Sequence, residues 1–267
     1  MIFYIDDLKI EINSIYPLDY LYSVKGDVKK KIRIDIKRRD YLPPVSGKKI
    51  GETNRGEYYC NGDKLFWTYF DEFLFEVEKN KKRSKFYLRV DRGEYHFRTF
   101  ILPYILNQVL ALFNKFIIHS SCIYNAGFIQ PALICFVGRP GAGKSTLAEE
   151  LQTIGWLKFA DDKIVLSNNN KVLSIFENNK TNKLELNKFK NFIIFPQKGK
   201  KERITEITKS EAAEKLGLSC LFPNYISVMK QGFESINRII EQASVFKLEF
   251  IDKKIFNVGK ILKLVTR

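Results

Sequence analysis

The sequence predicts an α/β protein in which a mostly-β module precedes a domain of alternating strands and helices. Short segments of alternating apolar and polar residues, separated by turn residues, fill the first 98 positions. After about residue 130, apolar strands alternate with amphipathic helices, which is typical of an α/β sheet. A glycine-rich turn joins such a strand to such a helix at 132–154. We therefore expect domains at 1–98 and 99–267.

The N-terminal module is predicted from strand and turn patterns. "MIFYIDDLKIEI" indicates two strands around Asp6-Asp7, and "KKKIRIDIKR" alternates with the period of two that one half-buried strand shows. Asn61-Gly62-Asp63 favours a hairpin turn between two further strands. "DEFLFEVE" and "KFYLRV" continue the pattern. The module contains no cluster of groups suited to catalysis, and the pattern is typical of a small, mostly-β module.

A helix at 99–113 is predicted to join the two domains and to pack on the second. Thr99 can cap it, and Pro103 would lie in its first turn. The next segment, "KFIIHSSCIYNAGFIQPALICFVG", predicts two or three buried strands, the last of which leads into the glycine-rich turn.

Strands and helices alternate through the rest of the chain. A helix at 145–154 would end at Gly155, and "WLKFADDKIVLS" predicts a strand. Thr208 and Glu211 form a capping box at the start of a helix that would stop at Gly217. "FESINRIIEQ" predicts a helix, "SVFKLEF" a strand and "GKILKLV" a short terminal helix.

Composition limits the class of protein. The net charge of +15 is concentrated in 96–267, which suits nucleotides, acidic peptides or nucleic acid as partners, although lysines on a solvated surface would give the same value. Four cysteines far apart and two histidines argue against a zinc site and favour a reduced, cytoplasmic protein. The apolar windows 100–113 and 132–138 are interrupted or too short to span a membrane, so we expect no membrane association.

The glycine-rich turn fits the phosphate-loop pattern G-x-x-x-x-G-K-[ST]. Backbone N–H groups at a helix N-terminus would surround phosphate, Lys144 would reach the β- and γ-phosphates, and Ser145 would bind Mg²⁺. Thr146 follows the position required for the metal ligand. The loop alone leaves ATPase, GTPase and kinase open. The predicted nucleotide-binding residues are Gly138, Gly141, Ala142, Gly143, Lys144, Ser145 and Thr146.

Asp161 and Asp162 follow an apolar strand soon after the loop helix. One carboxylate could hold Mg²⁺ while the other accepts a proton from an attacking hydroxyl, or both could belong to a polar turn. His119 lies in an apolar strand, where a hydrogen-bonded core histidine is the more common case. The stretch 180–203 contains eight Lys/Arg and two Glu and is predicted to end in a mobile basic loop. This loop is either a solvated surface segment or a contact for phosphate or substrate. Lys201 and Arg203 are the candidate residues for such a contact.

Together these segments resemble the catalytic domain of HPr kinase/phosphorylase and its relatives. The shared order is "IIHSSCI", "GRPGAGKST", "LAEELQTIGW" and "FADDKIVL", which covers roughly 116–176. The resemblance implies a P-loop kinase core of the HPr kinase/PEP carboxykinase type that uses ATP and Mg²⁺ and often forms homo-oligomers. It also implies that Asp161 is the catalytic base, Asp162 its metal-side partner and His119 the histidine near the base. Arg203 matches an arginine on a downstream mobile loop.

The loop sequence "RPGAGKST" differs from that of the HPr kinases proper, and the N-terminal half does not match their regulatory domain. The layout is more similar to HPr-kinase-like proteins of peptide-maturation systems, including lasso-peptide kinases, which implies a serine of a peptide or small protein as acceptor. Two alternatives stay open: a small-molecule kinase of the shikimate or gluconate type, and an ATP-dependent regulatory or nucleic-acid-binding protein, with RNA as partner.

Overall fold

The computed structural model shows a mixed α/β chain built mostly from strands, with few helices and two mixed sheets among the described residues. It describes residues 1–18, 21, 24–53, 56–69, 71–78, 82–89, 93–127, 131–167, 170–174, 183–220, 226–251 and 258–266. Within these ranges no helix is both long enough and apolar enough to cross a membrane.

The chain divides into two compact units. The first unit is Met1–Phe113 with Phe222–Lys230, and the second is Asn114–Leu221 with Gln231–Arg267. The helical segment expected at 99–113 is grouped with the first unit, whereas the sequence pattern was interpreted as placing it in the second domain.

The first unit contains a sheet of seven described strands in the order β1-β2-β7-β6-β5-β4-β3, followed by a helical segment. A π-helical turn, Phe97–Ile101, connects its two α-helices. The strands are β1 (Ile2–Asn13), β2 (Val24–Arg38), β3 (Lys48–Thr53), β4 (Gly56–Asn61), β5 (Lys64–Tyr69), β6 (Phe73–Glu78) and β7 (Arg83–Leu88), and the helices are α1 (Glu94–His96) and α2 (Leu102–Ala111).

Two turns of this unit follow the sequence prediction. The backbone N–H groups of Met1 and Ile12 each donate to the other's carbonyl, and Asp6 has a φ of 56°, so β1 folds back on itself at Asp6-Asp7. Strands β4 and β5 form an antiparallel hairpin closed by the pair Asn61 and Lys64. The predicted helix at 99–113 is also present, but the helical segment begins earlier, at Glu94. Thr99 therefore lies inside the segment and donates to the carbonyl of Tyr95 instead of capping an N-terminus.

The second unit contains a sheet of nine described strands, ordered β13-β12-β11-β8-β9-β14-β16-β15, with β10 also pairing with β8. A 3-10 turn lies at Leu186–Lys188. The strands are β8 (Lys115–Asn125), β9 (Ala132–Val137), β10 (Leu157–Ala160), β11 (Lys163–Ser167), β12 (Lys171–Leu173), β13 (Lys183–Glu185), β14 (Lys190–Lys198), β15 (Arg203–Glu206) and β16 (Ala243–Phe250). The helices are α3 (Lys144–Gln152), α4 (Lys209–Ser219), α5 (Ile226–Glu241) and α6 (Gly259–Val265); the residues of α5 up to Lys230 are grouped with the first unit.

Three neighbouring strands of the second sheet, β9, β14 and β16, run parallel. Their carboxyl ends therefore lie at one edge of the sheet, which is where open α/β sheets bind ligands. The glycine-rich turn follows β9 at this edge and leads into α3. Apolar side chains of β9, α3, β16 and α6 form one core on the face that α3 covers, including Phe136, Leu151, Leu248 and Ile261.

Two sequence predictions in the second unit need correction. The strand expected over 156–167 is divided into β10 and β11 at Asp161-Asp162. The basic loop expected at 196–203 is shorter than predicted, because β14 extends to Lys198 and β15 begins at Arg203, which leaves 199–202 between the strands; at the other end of the basic stretch, 180–182 lie outside the described residues. Helix α4 begins as predicted, since the Thr208 side chain accepts from the N–H of Glu211, but it continues past Gly217 to Ser219.

Candidate functional site

The glycine-rich turn adopts a conformation that its glycines require. Gly141 and Gly143 have φ values of 78° and 83°, a region that side chains with a Cβ disfavour by about 1–2 kcal/mol. Around Gly141 there is open space, whereas a Cβ on Gly143 would lie 2.8 Å from Cζ of Phe250. Phe250 ends β16, so the carboxyl end of this parallel strand is in contact with the turn.

Lys144 is folded back onto the turn. Its Nζ donates to the carbonyl oxygen of Arg139 at 3.1 Å, and the residue is only 6% exposed. Burial lowers the pKa of Lys144 from its ordinary value, and the nearby carboxylates of Asp162 and Asp161 oppose that shift. The ammonium group is therefore held at the loop, where a phosphate group would compensate its lost hydration.

The two aspartates interrupt the pairing of β10 and β11 with β8. Pairing runs up to Ala160 with Cys122 and resumes at Lys163 with His119. Between them Asp162 takes a left-handed φ of 73°, and its carbonyl accepts from the N–H of Ser120 at 3.0 Å. In a regular strand, neighbouring side chains point to opposite faces. The break removes this constraint, so the side chains of Asp161 and Asp162 can both lie near the glycine-rich turn.

Asp161 contacts Ser145, the residue predicted to bind Mg²⁺. Its Oδ1 accepts hydrogen bonds from Oγ of Ser145 at 2.7 Å and from Oγ of Ser121 at 2.5 Å, and Nζ of Lys158 lies 3.3 Å from its Oδ2. Burial raises the pKa of Asp161, but the hydrogen bonds from the two serines and the charge of Lys158 outweigh it, so the net shift is downward. The carboxylate is therefore ionised next to Ser145.

Asp162 contacts a different set of groups. One oxygen lies within hydrogen-bond distance of Nε2 of His119, and the other accepts from Nζ of Lys163. The hydrogen bond with His119 is the largest cause that lowers the pKa of Asp162, followed by burial, which opposes it, and then by Lys163. The resemblance implies that His119 lies near the base at Asp161, but the structure pairs it with Asp162.

Ser121 is the contact that the sequence analysis did not identify. It lies two residues after His119 on β8, and positions i and i+2 of a strand share a face. This spacing could have identified Ser121 from the sequence, because a strand that places His119 beside the acid pair also places Ser121 there.

The other predicted site residues lie partly in the glycine-rich turn and partly away from the acid pair. A Cβ on Gly138 would lie 3.3 Å from Cβ of Ala142, so the turn closes tightly there, and Thr146 is exposed on α3. Arg203 lies at the start of β15, an exposed position four strands from β8, or about 19 Å at the usual strand spacing. The structure therefore does not bring Arg203 to the acid pair.

The residues present fit a phosphate-bound Mg²⁺ better than a metal cage made of protein alone. Among the described residues no group of three or more His, Cys, Asp and Glu side chains could hold a metal ion. Magnesium is commonly bound through one or two carboxylates together with substrate phosphates and water. Ser145 and Asp161 supply such a partial set, with Lys144 beside it for phosphate.

No protein-family model matches the chain, and no curated protein matches it at a significant level. The interpretation of the site therefore depends on its own geometry: a glycine turn at the carboxyl edge of parallel strands, with Ser145 and Asp161 in contact.

Proposed function

We propose that the second unit is an ATP- and Mg²⁺-dependent kinase with a core of the HPr kinase/PEP carboxykinase type, acting in the cytoplasm. It transfers the γ-phosphate to a hydroxyl group, for which the proposed acceptor is a serine of a peptide or small protein. The observation that carries the proposal is the 2.7 Å hydrogen bond between Ser145 and Asp161. It joins the loop hydroxyl expected to bind Mg²⁺ to one member of the acid pair.

The turn and Lys144 supply the phosphate site. Backbone N–H groups at the start of α3, together with the dipole of that helix, favour a bound polyphosphate. Lys144 exchanges the carbonyl of Arg139 for β- and γ-phosphate oxygens when nucleotide binds. Bound Mg²⁺ supplies charge neutralisation between these phosphates.

The observed contacts favour roles for Asp161 and Asp162 that are the reverse of those that the resemblance implies. Ser145 can bind Mg²⁺ through an oxygen lone pair while its proton still donates to Asp161, which places Asp161 on the metal side. Asp162 holds the imidazole of His119, and this pair is the proposed acceptor of the proton from the attacking hydroxyl. Within the pair, the low pKa of Asp162 makes the carboxylate the orienting group and the imidazole the proton acceptor.

The test is a transfer assay with γ-labelled ATP, Mg²⁺ and three classes of acceptor: serine peptides, small hydroxyl metabolites and RNA. Label on serine supports the proposal, and label on a metabolite supports the small-molecule alternative. Hydrolysis stimulated by RNA without transfer supports the regulatory alternative, for which the net charge of +15 is the motivating observation. Substituting Lys144→Ala should remove every nucleotide-dependent signal.

A further inference from the structure

The first unit contains a cavity of about 240 Å³ that the proposed kinase activity does not use. Strands β5 and β6 form one wall, and the helical segment from α1 to α2 forms the other. The side chains that line it are mostly aromatic: Trp67, Tyr69, Phe73, Phe100 and Tyr104, together with Glu72, His96 and Ile101.

The rings form a connected group. Trp67 contacts Phe73 edge-to-face at 5.1 Å and Tyr104 at 5.8 Å, measured between ring centroids. Phe73 also stacks on Tyr69 at 5.0 Å. Trp67 and Phe73 are buried, whereas Phe100 is 52% exposed at the rim. The cavity thus has a fixed aromatic floor and an accessible edge.

The size of the cavity limits its occupant. Its volume is about 240 Å³. Cavities for drug-sized ligands and cofactors start at about 300 Å³, so this one suits a single side chain and not a nucleotide.

The chemistry of the lining favours a cation. Aromatic rings attract cations through the negative potential of their faces, and Glu72 adds a carboxylate to the wall. The protein as a whole carries a charge of +15 and repels cations at long range. Binding of a cation would therefore arise from this cavity and not from general electrostatic attraction.

We propose that this cavity binds one basic side chain, arginine or lysine, presented by a partner peptide. The proposal does not require the second unit to be a kinase. If the partner is also the phosphate acceptor, the first unit would recognise a basic residue away from the modified hydroxyl.

The experiment titrates the intact protein with N-acetyl-arginine amide and with N-acetyl-citrulline amide, which has nearly the same shape but no charge. The chain has two tryptophans, so the indole N–H signal of Trp67 can be followed by NMR and assigned with Trp156→Phe. We expect the arginine compound to shift the Trp67 signal with millimolar affinity, and the citrulline compound to bind about tenfold more weakly.

Matched variants locate the binding. Phe100→Ala should weaken binding of the arginine compound several-fold, because Phe100 lines the cavity. Tyr95→Ala removes another exposed aromatic ring, 78% exposed and outside the lining, and should leave binding unchanged. Equal binding of the charged and neutral compounds, equal effects of the two variants, or no shift of the Trp67 signal would each overturn the proposal.

Discussion

Replacing Asp161 by Asn should destabilise the second unit moderately and weaken binding of Mg²⁺ with nucleotide. In the native protein one carboxylate oxygen accepts from Ser121 and Ser145, and charge-assisted bonds of this kind contribute about 1 kcal/mol more each than neutral ones. The amide keeps an oxygen for both hydroxyls but loses the charge, and the contact with Lys158 is worth about 0–1 kcal/mol. The expected cost is therefore about 2 kcal/mol.

Asp161→Asn should lower the affinity for Mg²⁺ more than the affinity for the nucleotide itself. Removing a group that orients a metal ligand typically lowers metal affinity by about 10–100-fold. We expect Asp161→Asn to weaken the Mg²⁺-dependent part of ATP-analogue binding in this range, while binding without Mg²⁺ stays near the native value. Titration calorimetry with and without Mg²⁺ measures both, and urea unfolding measures stability.

Asp162→Asn is the matched control, because it removes the neighbouring carboxylate without touching Ser145. It should lose transfer while keeping Mg²⁺-dependent binding. If Asp161→Asn keeps full Mg²⁺-dependent binding and loses only transfer, Asp161 is the base, and the division of duties drawn from the contacts is refuted.

Three further outcomes follow from the site. His119→Gln should lower transfer by about 10²–10⁴-fold with unchanged ATP-analogue binding, measured by transfer and calorimetry on the same sample. Gly143→Ala should cost more unfolding free energy than Gly155→Ala, because both positions have positive φ (83° and 92°) but only the first would place a Cβ against Phe250; equal urea midpoints would contradict this. The pKa of Asp162 is lowered in the folded state, so its contribution to stability is present above about pH 4 and is lost as pH falls further; Asp162→Asn should therefore show a shallower loss of stability in acid unfolding below about pH 4.

The glycine turn between a strand and a helix was predictable from sequence, because its glycines occur at fixed spacing and two of them take positive φ values. The position of the loop between β9 and α3 follows from the apolar strand and amphipathic helix that flank it. Helix α4 was predictable for a similar local reason, since the Thr208 side chain satisfies the N–H of Glu211.

The arrangement around the acid pair was not predictable from local pattern. Ser121 and Ser145 are 40 and 16 residues from Asp161; pairing of β10 and β11 with β8 brings Ser121 to it, and the start of α3 brings Ser145. Aspartate is among the residues that adopt the left-handed conformation, but the residue type alone did not show which of the two aspartates takes it; the structure places it at Asp162.

Arg203 illustrates the limit of transferring a position by resemblance. The lysine-rich pattern before it predicted a loop, but the continuous apolar run in "NFIIFPQ" forms the buried part of β14. Arg203 consequently begins the edge strand β15, four strands from β8, the strand next to the acid pair.

The central claim is that a nucleotide triphosphate and its Mg²⁺ meet the glycine turn and Asp161 at one place. Crystals grown with a non-hydrolysable ATP analogue and Mn²⁺ test this directly, since anomalous diffraction locates Mn²⁺ without ambiguity. The account predicts the ion bound to Oγ of Ser145 with Asp161 beside it, and the β- and γ-phosphates against the backbone of 138–145. An ion or triphosphate bound elsewhere, with Ser145 and Asp161 contacting only each other, would contradict it.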